Sequence, residues 1–337
     1  MSRQRLTLTI LRNMPAILFV LVFILFSVLD PRFATVTNFS NIVSTSAFVG
    51  LAAVGMTFVL LTGGIDLSVG AAMYITGAVI GMLLQQGAPM LLAITAGIVA
   101  GTLLGCVNAV LVARVGLAPF IATLVTLTAG RGVGLLLTES RQFILPQEMR
   151  YAASSVLGIP LPVLVFGVVV VVAVAFLRYS ATGRQIYALG NDAEAARKAG
   201  LNTRRLTASV YIISGFCASL AGVILVSQQG SISAGLGQGV EFKAIAAAVL
   251  GGTSLFGGVG KVFPGTVIGV LLVQMISTGL VYLQVDLYLQ EMVAASVIFF
   301  AVVIDAQRTR ILGKLERRNI RVEKGLGREA AALPASP

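Results

Sequence analysis

The chain has no histidine and no tryptophan, and only 11% of its 337 residues are charged. Without histidine it lacks the commonest metal ligand and the usual proton carrier near neutral pH, which argues against a metalloenzyme. Soluble domains carry charge on about a quarter of their residues, so an ordinary soluble protein is excluded as well. Cysteine is equally scarce. Cys106 and Cys217 both fall inside apolar runs, where a thiol behaves as a small hydrophobe, and no disulfide framework is implied. What fills the sequence is apolar: 57% of residues are hydrophobic and the mean hydropathy is +0.96. A bilayer core is crossed by roughly 20 helical residues, so the chain has room for about ten spans. The fold class expected is an all-α polytopic membrane protein.

Apolar runs place the spans near 15–29, 42–62, 67–85, 90–112, 118–137, 161–177, 207–227, 241–256, 262–283 and 287–304. Arg3, Arg5 and Arg12 precede the first run as they would in a signal peptide, but no small-residue cleavage site follows, so an uncleaved span is expected. Ten spans put both termini on one side. The charges agree, because Arg178, Arg184, Arg197, Lys198, Arg204 and Arg205 in one link, and Arg308 to Arg328 in the tail, fall on that same side. Cytoplasmic segments collect Lys and Arg, so this side is expected to be cytoplasmic. The net charge of +11 is therefore a topology signal, and no nucleic-acid partner is expected. The chain divides into a transmembrane domain at 1–306, with a cytoplasmic segment at 183–206, and a basic cytoplasmic tail at 307–337.

Residues 56–84 form one apolar run that Gly63, Gly64 and Asp66 interrupt in its middle. Adjacent glycines weaken a helix by roughly 1 kcal/mol each, and membrane chains keep breaks where backbone lines a cavity or is buried in protein. A shift of 188 residues aligns 63–84 with 251–272 without a gap, with 10 of 22 positions identical. Gly63 and Gly64 fall on Gly251 and Gly252, and Ser254 stands where Asp66 does. Paired glycine-interrupted segments in two halves point to a transport site. Six intervening spans give the two repeats the same orientation. Gly77 with Gly81, and Gly265 with Gly269, fit close helix packing. Asp66 has two readings: a cap for the next helix, which the serine in the second repeat favours, or a polar group facing a solute. Ser68 belongs to the same break.

Between Gly190-Asn191 and Gly200 lies a short helix former, Ala193–Ala199, with the small-residue face Ala195, Ala196 and Ala199. It reads either as a surface linker or as a helix that docks into a groove of another protein. Asn108, Arg131, Glu241 and Lys243 are the other polar residues within or beside spans. Interhelical contact or snorkelling is their ordinary role, with Asn108, Arg131 and Glu241 also candidates to line a path. Gly260-Lys261 is no phosphate loop, because Val262 follows where Ser or Thr is required and Leu255 stands at the first glycine. Nothing in the sequence forms a catalytic cluster.

GGIDLSVG at 63–70, VGLAPFIATLVTLTAGRG at 115–132, YALGNDAEAARKAGLN at 187–202 and EFKAIAAAVLGGTSLFGGVGKVFPGTVIGVL at 241–271 together resemble the permease subunits of ATP-binding-cassette importers for monosaccharides, of the ribose-permease type. The resemblance covers nearly the whole chain. It implies a multi-pass protein of the bacterial inner membrane, paired with a second permease that is a copy or a homologue, a cassette ATPase and a periplasmic sugar-binding protein. ATP and Mg would be bound by the ATPase, with no cofactor on this chain and no enzymatic activity of its own. It also identifies 187–202 with the family's ATPase-coupling segment, and so assigns Gly190, Asn191, Glu194, Ala195, Ala196 and Gly200 to that contact. Where the family usually has two glycines, this chain has Gly190 followed by Asn191. Alternative readings are an ion-coupled secondary transporter, for which carboxylates other than Asp66 are few, or an importer subunit for branched-chain amino acids or a furanose signal.

Overall fold

The computed structural model describes residues 3–149, 155–156, 158–286 and scattered positions between 288 and 303. The tail expected at 307–337 lies outside the described residues, and the tenth span is described only in part.

The described positions from 288 to 303 are helical, and before them eleven α-helices follow one another between Arg3 and Tyr282. They are α1 (Arg3–Leu29), α2 (Val36–Leu61), α3 (Val69–Gln85), α4 (Met90–Val110), α5 (Pro119–Thr138), α6 (Leu161–Tyr179), α7 (Ala181–Asn191), α8 (Ala193–Lys198), α9 (Thr203–Gln229), α10 (Val240–Leu250) and α11 (Val267–Tyr282). Wider π turns extend α4 through Leu111–Val115 and lead into α11 from Val262–Thr266. Six of these runs are long and apolar enough to cross a membrane: Val36–Leu61, Met90–Val115, Pro119–Thr138, Leu161–Tyr179, Thr203–Gln229 and Val262–Tyr282. Asn13–Leu29 and Val69–Gln85 are shorter apolar helices.

One expected span is corrected. The run 241–256 is helical only over the 11 residues of α10, roughly 16 Å at 1.5 Å per residue, too short to cross a bilayer core. Glycine sets both limits: Gly239 has φ +76 at its start, and Gly252 has φ +92 just beyond its end. Hydropathy does not register such a limit, because glycine and serine barely lower the average of the run.

The core sits around α2 and α9, whose apolar windows are mostly buried, while α4, α5 and α6 expose most of theirs. Small residues bring these helices together, as packing inside a bilayer requires. Gly105 of α4 faces Gly215 of α9, where an added Cβ would meet the partner backbone at 2.9 Å. Gly77 packs on Leu236 and Val226, and Gly269 on the Ala247 carbonyl, so both glycine pairs act in packing as the sequence suggests. At one end of the bundle, a two-residue strand at Phe143–Ile144 pairs antiparallel with Ser231–Ile232. The helices α7 and α8 cap the other end.

Candidate functional site

The first break begins where α2 ends. Thr62 to Ser68 are non-helical, and Gly63 takes φ +74, a left-handed conformation that side chains resist. The chain turns again at Asp66, whose carboxylate is 1% exposed. Its Oδ1 accepts hydrogen bonds from the Ser68 backbone N–H at 3.0 Å and the Ser68 hydroxyl at 2.7 Å. Its Oδ2 accepts from the Ser214 hydroxyl of α9 at 2.7 Å. Asn108 of α4 donates to Ser68 Oγ at 2.7 Å and accepts from the Thr126 hydroxyl of α5 at 2.6 Å, while Thr123 donates to the Ile65 carbonyl at 3.2 Å. Three helices thus satisfy one unwound strand, and a buried polar network of this kind fixes one geometry.

The second break repeats the turn of the first and is longer. Ser254 Oγ accepts the N–H of Phe256 at 3.2 Å, two residues on, as Asp66 accepts that of Ser68. The 188-residue offset relates both pairs, so the repeat preserves a local turn. The helix that follows starts later, beyond the extended Phe263, after a lead segment 255–260 that contains three glycines.

Both breaks and the α7–α8 segment meet at one point. The Gly258 N–H donates to the Leu61 carbonyl at 3.0 Å, linking the second break to the end of α2. Gly190, in the last turn of α7, packs on that same Leu61 carbonyl, and a Cβ on it would meet Gly258 N at 2.6 Å. A Cβ on Gly257 would meet Gly190 O at 2.7 Å and Gly63 N at 3.0 Å, and the Asn191 amide covers Gly258. Tyr187 of α7 adds a hydrogen bond to the Gly260 carbonyl at 2.9 Å. Burial pushes the Tyr187 phenol above its usual pKa, which keeps it a donor. The equal orientation expected of the repeats follows from this meeting, since both breaks lie at the same end.

Beyond this node, α8 stands on the surface. Asp192 Oδ1 caps it by accepting the N–H groups of Glu194 and Ala195, each at 2.9 Å, and Gly200 closes it at φ +82. Glu194 pairs with Lys198 at 2.9 Å, both exposed. Ala195 and Ala199 face outward, whereas Ala196 is 5% exposed. The small-residue face expected of Ala195, Ala196 and Ala199 is therefore corrected: Ala196 seats the helix on its own chain, where its carbonyl accepts the Leu201 N–H at 3.1 Å.

The remaining candidates separate. Asn108 is fully enclosed, and its hydrogen-bonding groups face the Asp66 network. Arg131 and Glu241 do come together, across Gly70. A Cβ on Gly70 would touch Glu241 Oε2 and lie 3.1 Å from an Arg131 amino group. The other Arg131 amino group donates to the Leu236 carbonyl at 2.7 Å. Glu241 Oε2 and Arg131 Nη2 are buried and, among the described residues, have no hydrogen-bond partner. Gly64 makes room for the Tyr211 hydroxyl, and Gly251 packs against Gly265. Sequence reasoning missed Ser214, Thr123, Thr126, Tyr211 and the turn at 233–239. Single hydroxyls in apolar helices carry no pattern that marks them. An open groove of about 700 Å³ between α2, α6 and α9 is wholly apolar, lined by groups such as Val54, Phe58, Val169 and Phe216, and suits acyl chains instead of a polar solute.

Comparison with known proteins gives a consistent group. Residues 38–302 match the family described as branched-chain amino acid transport system / permease component. The chain is 38% identical over 285 residues to the ribose import permease protein of Haemophilus influenzae, covering 83% of this chain and 88% of that one. It is 39% identical over 286 residues to the D-allose transport system permease protein of Escherichia coli, covering 83% and 87%. With the galactofuranose transporter permease protein of Escherichia coli it shares 35% over 271 residues, covering 80% and 79%. No solved structure matches the chain.

Proposed function

The chain belongs to the family described as the permease component of the branched-chain amino acid transport system, and from that membership we propose that it is the transmembrane subunit of an ATP-driven importer for a monosaccharide. The relatives named for ribose, allose and galactofuranose support a sugar over an amino acid. The observation that carries the mechanism is the node at Gly190, Leu61 and Gly258, where one surface segment touches both helix breaks.

In this reading the α7–α8 end is cytoplasmic, and α8 is the surface that a cassette ATPase grips through Ala195, Ala199 and the Glu194–Lys198 pair. ATP and Mg act on that ATPase. Closure of the cassettes moves α7, and α7 bears directly on backbone at Leu61 and Gly258, without flexible side chains between. Rigid elements in contact transmit a displacement that loops would absorb. The two breaks then shift together, moving α3 on one side and α10 with α11 on the other. A second permease, a copy or a homologue, completes the path, and a periplasmic binding protein delivers the sugar. Asp66 holds the first break in shape, its oxygens being occupied by the chain itself. The domain at 1–306 carries transport and the tail at 307–337 remains on the cytoplasmic side.

Purification of the tagged chain from native membranes tests the assignment. A cassette ATPase present in stoichiometric amount is the expected result, and a chain that purifies free of any ATPase while still transporting would overturn it.

A further inference from the structure

The turn at 233–239 lies at membrane depth yet is not helical. Arg131, which donates to the Leu236 carbonyl, is twelve residues into α5, about 18 Å along it and about 10 Å short of its far end at Thr138. Leu236 packs on Gly77 in the middle of α3, and Gly237 on Gly70 at its start. The turn therefore descends from the strand pair at Ser231–Ile232 into the bundle and rises no further than the start of α10. Its other face is open: Ala234, Gly235 and Gln238 are exposed on the protomer. Irregular backbone is not tolerated against lipid, where each unmet polar group costs several kcal/mol. This face must meet either a second protein or water.

Chemistry favours water and a neutral solute. The stretch Gly230–Gly239 reads GSISAGLGQG and carries no charge. A Cβ at Gly235 or Gly239 would meet nothing closer than 3.9 Å, so a ligand can reach the main chain there. Behind the turn, Glu241 is 4% exposed with Oε2 unpartnered, and Arg131 Nη2 is unpartnered beside it.

We propose that the turn 233–239 is a wall of the solute path on its outer half, a ledge where the hydroxyls of a neutral sugar bond to the Gln238 side chain and to exposed main chain. Arg131 is the positioning residue that holds the ledge through the Leu236 carbonyl. The proposal rests on the importer reading above.

Thiol accessibility tests it in the full complex. With Cys106 and Cys217 replaced by alanine, Ala234→Cys and Gln238→Cys are each treated from outside with a charged, membrane-impermeant methanethiosulfonate, beside Val171→Cys on the exposed apolar face of α6. The expected result is modification at 234 and 238 and none at 171, followed by loss of ATP-driven D-ribose or D-allose uptake relative to each variant's own unmodified rate. Failure of both thiols to react, with or without ATP, overturns the proposal, and so does modification that leaves uptake unchanged. A failed importer reading looks different: no ATPase accompanies the unmodified chain and no ATP-driven sugar uptake occurs before any reagent is added.

Discussion

Gly190 in α7 lies against the main-chain carbonyl of Leu61 at the end of α2, with no space for a side chain between them. The same carbonyl accepts the Gly258 N–H at 3.0 Å, so a contact at the bundle's end reaches both helix breaks through a single oxygen. Gly190→Ala places a methyl group against backbone on two sides, where nothing can give way cheaply. Uptake is expected to fall by about tenfold or more, the effect of a misfit near 1.4 kcal/mol, with the amount of chain in the membrane little changed. Gly167→Ala on α6, where a Cβ meets nothing within 4 Å, is the matching control and is expected to transport normally. Vesicle uptake with immunoblotting of membrane fractions reads both.

On α8, outward and inward alanines are expected to differ in kind. Ala195→Trp enlarges an exposed face, so it is expected to block the proposed contact with a cassette ATPase while the chain itself stays folded. Ala196→Trp overfills a buried seat and destabilises by about 1–3 kcal/mol, lowering the yield of folded protein. Co-purification of the ATPase and thermal unfolding in detergent separate the two outcomes.

How far the sequence discloses this arrangement differs from element to element. Most of the apolar runs, the two GG breaks, their 188-residue offset and the short helix beside Gly190 are local signals that correspond to observed features, the run 241–256 being the exception. The ledge at 233–239 is different. Its depth follows from Arg131 reaching the Leu236 carbonyl across 105 residues, a relation that hydropathy averages cannot express. Ala196 looks like its neighbours in sequence, and only the way α8 lies on the chain turns it inward. Asn108 is ambiguous for the same reason, since its partners come from the first break and from α5.

Asp66 is expected to govern stability before it governs solute choice. Asp66→Ala removes the acceptor for Ser214 and both acceptor bonds for Ser68, at roughly 1–3 kcal/mol for each buried donor left unpaired. The apparent melting temperature in detergent should fall by about 5 °C or more. Asp66→Ser, which copies Ser254 of the second repeat, is expected to recover part of the loss. A variant of normal stability with altered sugar preference would instead put Asp66 on the path.

The chain has no histidine, and its Asp66 carboxylate is enclosed by its own hydrogen bonds, so neither supplies a ready proton carrier. In proteoliposomes that contain the complex but no ATP, an imposed proton or sodium gradient is expected to drive no sugar uptake. Accumulation under either gradient would favour secondary transport.

The decisive measurement is sugar uptake into proteoliposomes holding this permease with the proposed cassette ATPase, second permease and binding protein, with a panel of D-ribose, D-allose and galactofuranose outside. ATP at the cassettes is expected to drive accumulation of at least one of these sugars, insensitive to ionophores and lost in Gly190→Ala although the complex still assembles. Accumulation that proceeds without ATP, or that Gly190→Ala leaves intact, would contradict a path opened through the Gly190–Leu61 contact.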